Sequence, residues 1–168
     1  MAHGDLKPDN ILVTSYDWLF LVDINPMKPV QALDTDLKTY NMYFGDLDNN
    51  NRCYLAPERW ITPPKKLDEN AVLSPAMDVF SAGCIIAEIL SDGVPLFDLP
   101  KLQQYRHSTF DPEKAMKERI RDPKLITLIM EMIDLNPEKR PTSTECLDRW
   151  NATVFPDSFH TIFFQLFS

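Results

Sequence analysis

Six residues near the start of the chain bring together an acid, a base and an amide: Asp5, Lys7 and Asn10, within His3-Gly4-Asp5-Leu6-Lys7-Pro8-Asp9-Asn10. A carboxylate at Asp5 can accept a proton from a hydroxyl. The Lys7 ammonium can meet phosphate charge, and the Asn10 side-chain oxygen can hold a metal ion. Asp23 closes the apolar run Leu19-Phe20-Leu21-Val22 and supplies a second candidate metal ligand. A transferring phosphoryl group needs these parts, because positioning and charge neutralisation do most of the catalysis there. Pro, Asp and Asn are also turn formers, and Asp5 taken alone reads as part of a polar turn before a strand. The spacing of the whole set carries the chemical reading.

These side chains need elements to hold them. Ile11-Leu12-Val13 and Leu19-Phe20-Leu21-Val22 are short runs of β formers joined by a short link, which predicts a β-hairpin between Asn10 and Asp23. The stretch from Asp23 to Leu55 has little periodicity and many polar residues, among them Asp34, Asp36, Asp46, Asp48 and Asn49-Asn50-Asn51, and reads as a long loop. Ser74-Pro75 starts a helix well, with serine as cap and proline in the first turn. From Met77 to Leu90 that helix is apolar on nearly every side, the mark of a buried one, and Ser91-Asp92-Gly93 ends it. Asp78 inside it needs a partner. Leu99, Leu102 and Tyr105 line one short helix. Leu125, Leu128, Ile129, Met132 and Ile133 share one face of another, opened by Asp122-Pro123. Thr142-Ser143-Thr144-Glu145 is a capping box that starts a last helix carrying Cys146, Leu147 and Trp150 inward.

The octapeptide resembles the catalytic loop of eukaryotic protein kinases, with Gly4 in place of the usual Arg. The resemblance continues in order along the chain. Asp23-Ile24-Asn25 stands where the metal-binding Asp-Phe-Gly would be, and Ala56-Pro57-Glu58 matches the end of the activation segment. Asp78-Val79-Phe80-Ser81-Ala82-Gly83 resembles the start of the central helix of the large lobe. Leu135-Asn136-Pro137-Glu138-Lys139-Arg140-Pro141 resembles the segment whose Arg pairs with that Glu. Within kinases, the chain is similar to the protein-kinase-like regulatory subunit of the class III phosphatidylinositol 3-kinase complex, the vacuolar protein sorting fifteen family. That likeness rests on His3-Gly4-Asp5, the run from Arg52 to Arg59, the Val13 to Trp18 segment and Phe155-Pro156-Asp157-Ser158-Phe159.

The resemblance implies a mainly α fold, the C-terminal lobe of a protein kinase over residues 1–153 with a short β-hairpin by the catalytic loop. Residues 154–168 form an aromatic extension toward a next domain. It implies serine/threonine kinase chemistry: Asp5 as base, Lys7 on the transferring phosphate, Asn10 and Asp23 holding Mg²⁺ under ATP. Asp78 would accept the backbone N–H groups of His3 and Gly4, and Glu58 would pair with a buried Arg140, both as structural contacts. The four glycines cannot make the Gly-rich loop of a small lobe, so the expectation is a large lobe alone, inactive in isolation. With Gly4 where a phosphate-receiving Arg would stand, activation through Thr35, Thr39, Tyr40 or Tyr43 is not expected. The alternatives are a scaffold that binds and restrains the lipid kinase without phosphoryl transfer, or an inactive truncated lobe. The implied partners are the lipid kinase's catalytic subunit, its autophagy and endosomal associates and a protein substrate. The implied location is cytoplasmic, peripheral to late endosome, autophagosome or vacuole membranes.

Composition sets bounds on these readings. With 44% hydrophobic and 25% charged residues the chain can bury a core. A net charge of −8 argues against nucleic acid or an anionic membrane as direct partner; membrane association is expected only through the rest of the complex. The three cysteines, Cys53, Cys84 and Cys146, show neither metal spacing nor a disulfide framework, which fits a reducing compartment. No apolar run is long enough for a membrane span, and no signal peptide or myristoylation glycine is read at the N-terminus. The phenylalanines from Phe155 to Phe167 either pack on the domain or meet a following one.

Overall fold

A computed structural model describes residues 2–16, 18–45 and 52–153, the last three as backbone only. Asp17, Asp46, Asp48, the three consecutive asparagines and the aromatic extension lie outside the described residues.

The central helix, Pro75–Leu90, is the axis of the fold. Phe80, Cys84 and Ala87 on it are fully buried. A Cβ at Gly83 would sit 2.8 Å from Ile133 Cγ2 and 2.9 Å from Met132 Cβ. The bare glycine therefore lets the two backbones approach, and Ala there would overpack the junction. The helix facing it, Pro123–Met132, is capped by Asp122, whose carboxylate accepts from Lys124 N, and it buries Ile126, Ile129 and Met132. Between these two in sequence lie the shorter helices Leu99–Arg106 and Pro112–Lys117, capped by Asp98 and Asp111. Stacked rings of Phe80, Phe97 and Tyr105, with Phe97 also edge-on to Phe110, tie this layer to the central helix. The last helix, Ser143–Thr153, begins with a complete capping box: Thr142 N donates to Glu145 Oε2 at 2.8 Å and Glu145 N to Thr142 Oγ1 at 3.2 Å. Trp150 packs against the core, but Leu147 is exposed, contrary to the inward position its spacing implied. Among the described residues no helix is long and apolar enough to cross a membrane.

Strands are few. Ile11–Val13 (β1) and Leu19–Leu21 (β2) form the expected antiparallel hairpin, Ile11 opposite Leu21. A second pair, Ala32–Leu33 (β3) and Trp60–Ile61 (β4), is parallel and ties the polar stretch to the segment just beyond it. That stretch is not the uniform loop its composition implied. Leu37–Phe44 forms a helix, here α1, capped by Asp36, which accepts from Thr39 N. Its Tyr40 and Phe44 are buried, and Tyr40 lies against Trp60 with ring centroids 4.9 Å apart. A polar sequence with only a few apolar residues is recruited into helix because those residues find a tertiary surface.

Candidate functional site

The 3₁₀ turn Pro8–Asn10 runs directly into β1, and Val22 N donates to Asn10 O at 3.0 Å. The hairpin thus sets the end of the catalytic loop beside Asp23. Asn10 Nδ2 donates to the Asp5 backbone oxygen at 2.8 Å and to Asp5 Oδ2 at 3.0 Å. Asp5 and Asn10 are buried and form the floor of the site; the Asp23 side chain is 48% exposed and stands at its rim. Asp23 has φ +63°. A non-glycine residue held there stores backbone strain, which proteins tolerate mainly at functional positions.

The loop is hung from below by Asp78. His3 N donates to its Oδ2 at 2.6 Å and Gly4 N to its Oδ1 at 2.8 Å. Two backbone donors on one carboxylate resolve the burden of an acid inside an apolar helix. Gly4 has φ +78°, and a Cβ there would fall 2.5 Å from Leu73 Cδ1. Glycine adopts this left-handed backbone without strain and leaves room for the end of the Leu73 side chain.

Lys7 stands near this cluster: after the bond and charge of Lys28, its own positive charge helps to lower the Asp23 carboxyl. Its ammonium donates to the backbone oxygens of Phe44 and Gly45 at 3.3 and 3.1 Å, a cation at the C-terminal end of α1. Glu58 and Arg140 meet as a bidentate pair, both contacts 2.7 Å, with Arg140 also donating to Asp134 O and Ala76 O and lying over the Phe80 ring.

Two further cations belong to the site, and the sequence reading had assigned neither a role. Lys28 Nζ donates to Asp5 Oδ2 at 2.5 Å and also to Asp23 Oδ2, so both carboxylates close on one ammonium. The bond from Lys28, reinforced by its charge, holds the Asp23 carboxyl below its usual range. Burial alone would lower the Lys28 ammonium, but the two carboxylates outweigh it and the group is raised. Arg59, 2% exposed, donates to Gly4 O at 2.5 Å, Val30 O at 2.6 Å and Pro29 O at 2.9 Å, stitching the catalytic loop to the segment after Asp23. Burial pulls its guanidinium down to about 10, still charged at neutral pH. Arg59 had a signal, being a charge set between Leu55-Ala56-Pro57 and Trp60-Ile61; Lys28, a lysine among prolines, had none.

An apolar cavity of about 450 Å³ lies behind the loop, walled by Leu6, Leu21, Ile24, Val79, Ala82 and Met132. None of Asp5, Asn10 or Asp23 lines it. The polar cluster is a separate, open surface of hard oxygen donors, already gathered round a positive charge. Such donors fit Mg²⁺, and the Lys28 ammonium stands in for the cation they attract.

Comparison with known proteins agrees with this geometry. Residues 1–150 match the protein kinase domain model. The chain is 40% identical to the probable serine/threonine-protein kinase vps15 of Dictyostelium discoideum over 94% of its own length and 8% of the relative's. It is 37% identical to serine/threonine-protein kinase VPS15 of Arabidopsis thaliana, over 97% of the chain and 11% of the relative. It is 36% identical to the protein of that name from Saccharomyces cerevisiae, over 99% of the chain and 12% of the relative. The chain thus spans about a tenth of the length of these curated relatives.

Proposed function

The chain belongs to the protein kinase domain family, and from that premise we propose that it takes part in transfer of the γ-phosphoryl group of ATP to serine or threonine hydroxyls of a protein. The observation that carries this reading is the convergence of Asp5 and Asp23 on a single cation, with Asn10 bonded to Asp5. Asp5 is the base: buried, oriented by the Asn10 amide, and placed to take the hydroxyl proton as the oxygen attacks. Asp23 and the Asn10 side-chain oxygen are the groups that would hold Mg²⁺. When bound, Mg²⁺ neutralises the charge of the nucleotide phosphates. Lys7, tethered to the carbonyls at the end of α1, is the ammonium that would meet the charge of the transferring phosphate. Asp78 and Arg59 hold the loop from two sides and keep the Asp5 backbone fixed.

The test is phosphate transfer to a protein substrate by the protein and its variants. Asp5→Asn is expected to lose about 10²–10⁴-fold in rate while nucleotide still raises the melting temperature; Asp23→Asn is expected to lose that nucleotide-dependent rise. Transfer that survives both substitutions overturns the reading.

A second reading has its own support. Gly4, Ile24 and Asn25 depart from the kinase pattern at three positions of the site, and Lys28 already neutralises both carboxylates. These features suit a scaffold that binds and restrains a lipid kinase. The motif likeness given above, beside relatives named as vps15 kinases, supports the class III phosphatidylinositol 3-kinase catalytic subunit and its autophagy and endosomal associates as partners. The corresponding place is the cytoplasmic side of late endosome, autophagosome or vacuole membranes, reached through the rest of that complex. Capture of the lipid kinase that persists in Asp5→Asn and Asp23→Asn supports the scaffold, and its loss in both counts against it.

A further inference from the structure

Lys28 is placed by the fold on both of its flanks. On one side a tight turn returns the chain toward Asp23: Met27 N donates to Asn25 Oδ1 at 2.9 Å and Lys28 N to Asn25 O at 3.2 Å. On the other, the next two carbonyls, Pro29 O and Val30 O, are gripped by the buried guanidinium of Arg59. A lysine on a loose surface segment sweeps through many rotamers; this one is delivered to a fixed point, and its side chain is only 14% exposed. At that point it meets two carboxylates that repel each other unless a positive charge lies between them. The site therefore needs a cation, and the chain supplies one of its own.

We propose that Lys28 is a built-in counter-ion that competes with the divalent cation for Asp23. The ammonium sits on the Asp23 carboxylate, donating to Oδ2, and a divalent cation held by that carboxylate would be repelled by a second positive charge at the same group. Metal enters only when the ammonium swings off Asp23, so the apparent metal affinity is the intrinsic one reduced by the fraction of molecules in which Lys28 has moved away. An ammonium in place about nine-tenths of the time weakens apparent binding about tenfold. This rests on the reading above in which Asp23 belongs to the metal site. It adds that the chain itself sets how readily that site fills, through a residue outside the kinase motifs.

The experiment is titration with Mn²⁺ alone, without nucleotide, followed by electron paramagnetic resonance of free Mn²⁺. Lys28→Met is expected to bind Mn²⁺ about tenfold more tightly than the unaltered protein. Lys28→Arg, which keeps the charge, is expected to show no such gain, and Asp23→Asn to abolish the binding. In parallel, acetic anhydride labelling of the unaltered protein, read by mass spectrometry, is expected to show Lys28 Nζ reacting faster once Mn²⁺ saturates the site. Equal Mn²⁺ affinity in the unaltered protein and Lys28→Met, with binding still lost in Asp23→Asn, overturns the role of Lys28 and leaves the metal reading standing. Mn²⁺ binding that ignores Asp23→Asn, or no binding in any variant, overturns both. Should Lys28→Met fail to fold, the labelling decides: a Lys28 rate indifferent to saturating Mn²⁺ overturns the proposal.

Discussion

The molecule contains two cation–carboxylate assemblies built from similar groups in opposite settings. In the Glu58–Arg140 pair the arginine side chain is fully buried, its donors reach two backbone carbonyls as well as both glutamate oxygens, and an aromatic ring lies beneath it. In the Asp5–Lys28–Asp23 cluster one carboxylate is buried, the other is half exposed, and the cation is a single ammonium on a flexible stem. The first is held by four hydrogen bonds on a fully buried guanidinium, so it fixes how the segment before β4 sits on the central helix. The second can trade its cation for another without unfolding anything. Burial and saturation of hydrogen bonds, more than charge, separate an ion pair that holds a fold from one that a ligand can open.

Four perturbations test that contrast. The largest effect is expected from Arg140→Met, which leaves Glu58 without its partner. Loss of one member of a buried pair costs about 3–5 kcal/mol, and with Glu58 one-fifth exposed the lower end is expected in urea unfolding. Adding Glu58→Gln to that variant is expected to recover part of the loss; a purely additive double variant would mean that the two are not coupled. Next comes Asp78→Asn, which weakens two charge-assisted bonds to His3 N and Gly4 N. A loss of about 2 kcal/mol in the same measurement is expected. Gly4→Ala follows, at about 1–2 kcal/mol, because alanine must adopt a left-handed backbone against Leu73; an unchanged melting temperature would show that the loop relaxes freely.

The smallest effect belongs to the open cluster and shows itself through pH. Asp23 titrates below its usual 3.8 in the folded chain. Its contribution is therefore present above pH 3.8 and lost as pH falls through the lower folded value. Lys28 titrates above its usual 10.5. Its contribution is complete below that value and lost as pH rises through the folded one. The melting-temperature gap between the unaltered chain and Asp23→Asn is accordingly expected to be flat between those limits, to close on both sides, and to shrink in high salt. A gap that does not narrow as pH falls below 3.8 would place the effect of Asp23 elsewhere.

Much of the site was legible because its parts lie close in sequence. His3 to Asn10 is one turn running into one strand, and the hairpin that returns to Asp23 is a local structure with a local pattern. Capping boxes, Asp-Pro starts and the apolar run of the central helix also declare themselves within a few residues. Lys28 left no mark of its place in the site, and Arg59 only that of a charge among apolar neighbours, since their partners are 5 and 23 residues away for Lys28 and up to 55 away for Arg59. Periodicity carries no information about such contacts. Lys7 shows the converse. Its place two residues from Asp5 invited a role on phosphate, while the fold brings the end of α1 to it. That helix was missed because its propensity is weak and its stability comes from Tyr40 docking on Trp60 and Phe44 lying under the Arg59 guanidinium.

The sequence by itself determined the chemistry at hand: which acids, amides and bases stand between His3 and Asn10, that a hairpin leads from Asn10 back to Asp23, and that a buried helix must carry Asp78 with a partner. Tertiary structure alone decided which positive charge stands between Asp5 and Asp23, which guanidinium pins the loop, and which face of the last helix meets solvent. The reason is physical. Backbone geometry and turn chemistry act over a handful of residues and leave a pattern, whereas a charge finds its partner through space, and burial then sets how firmly it is held.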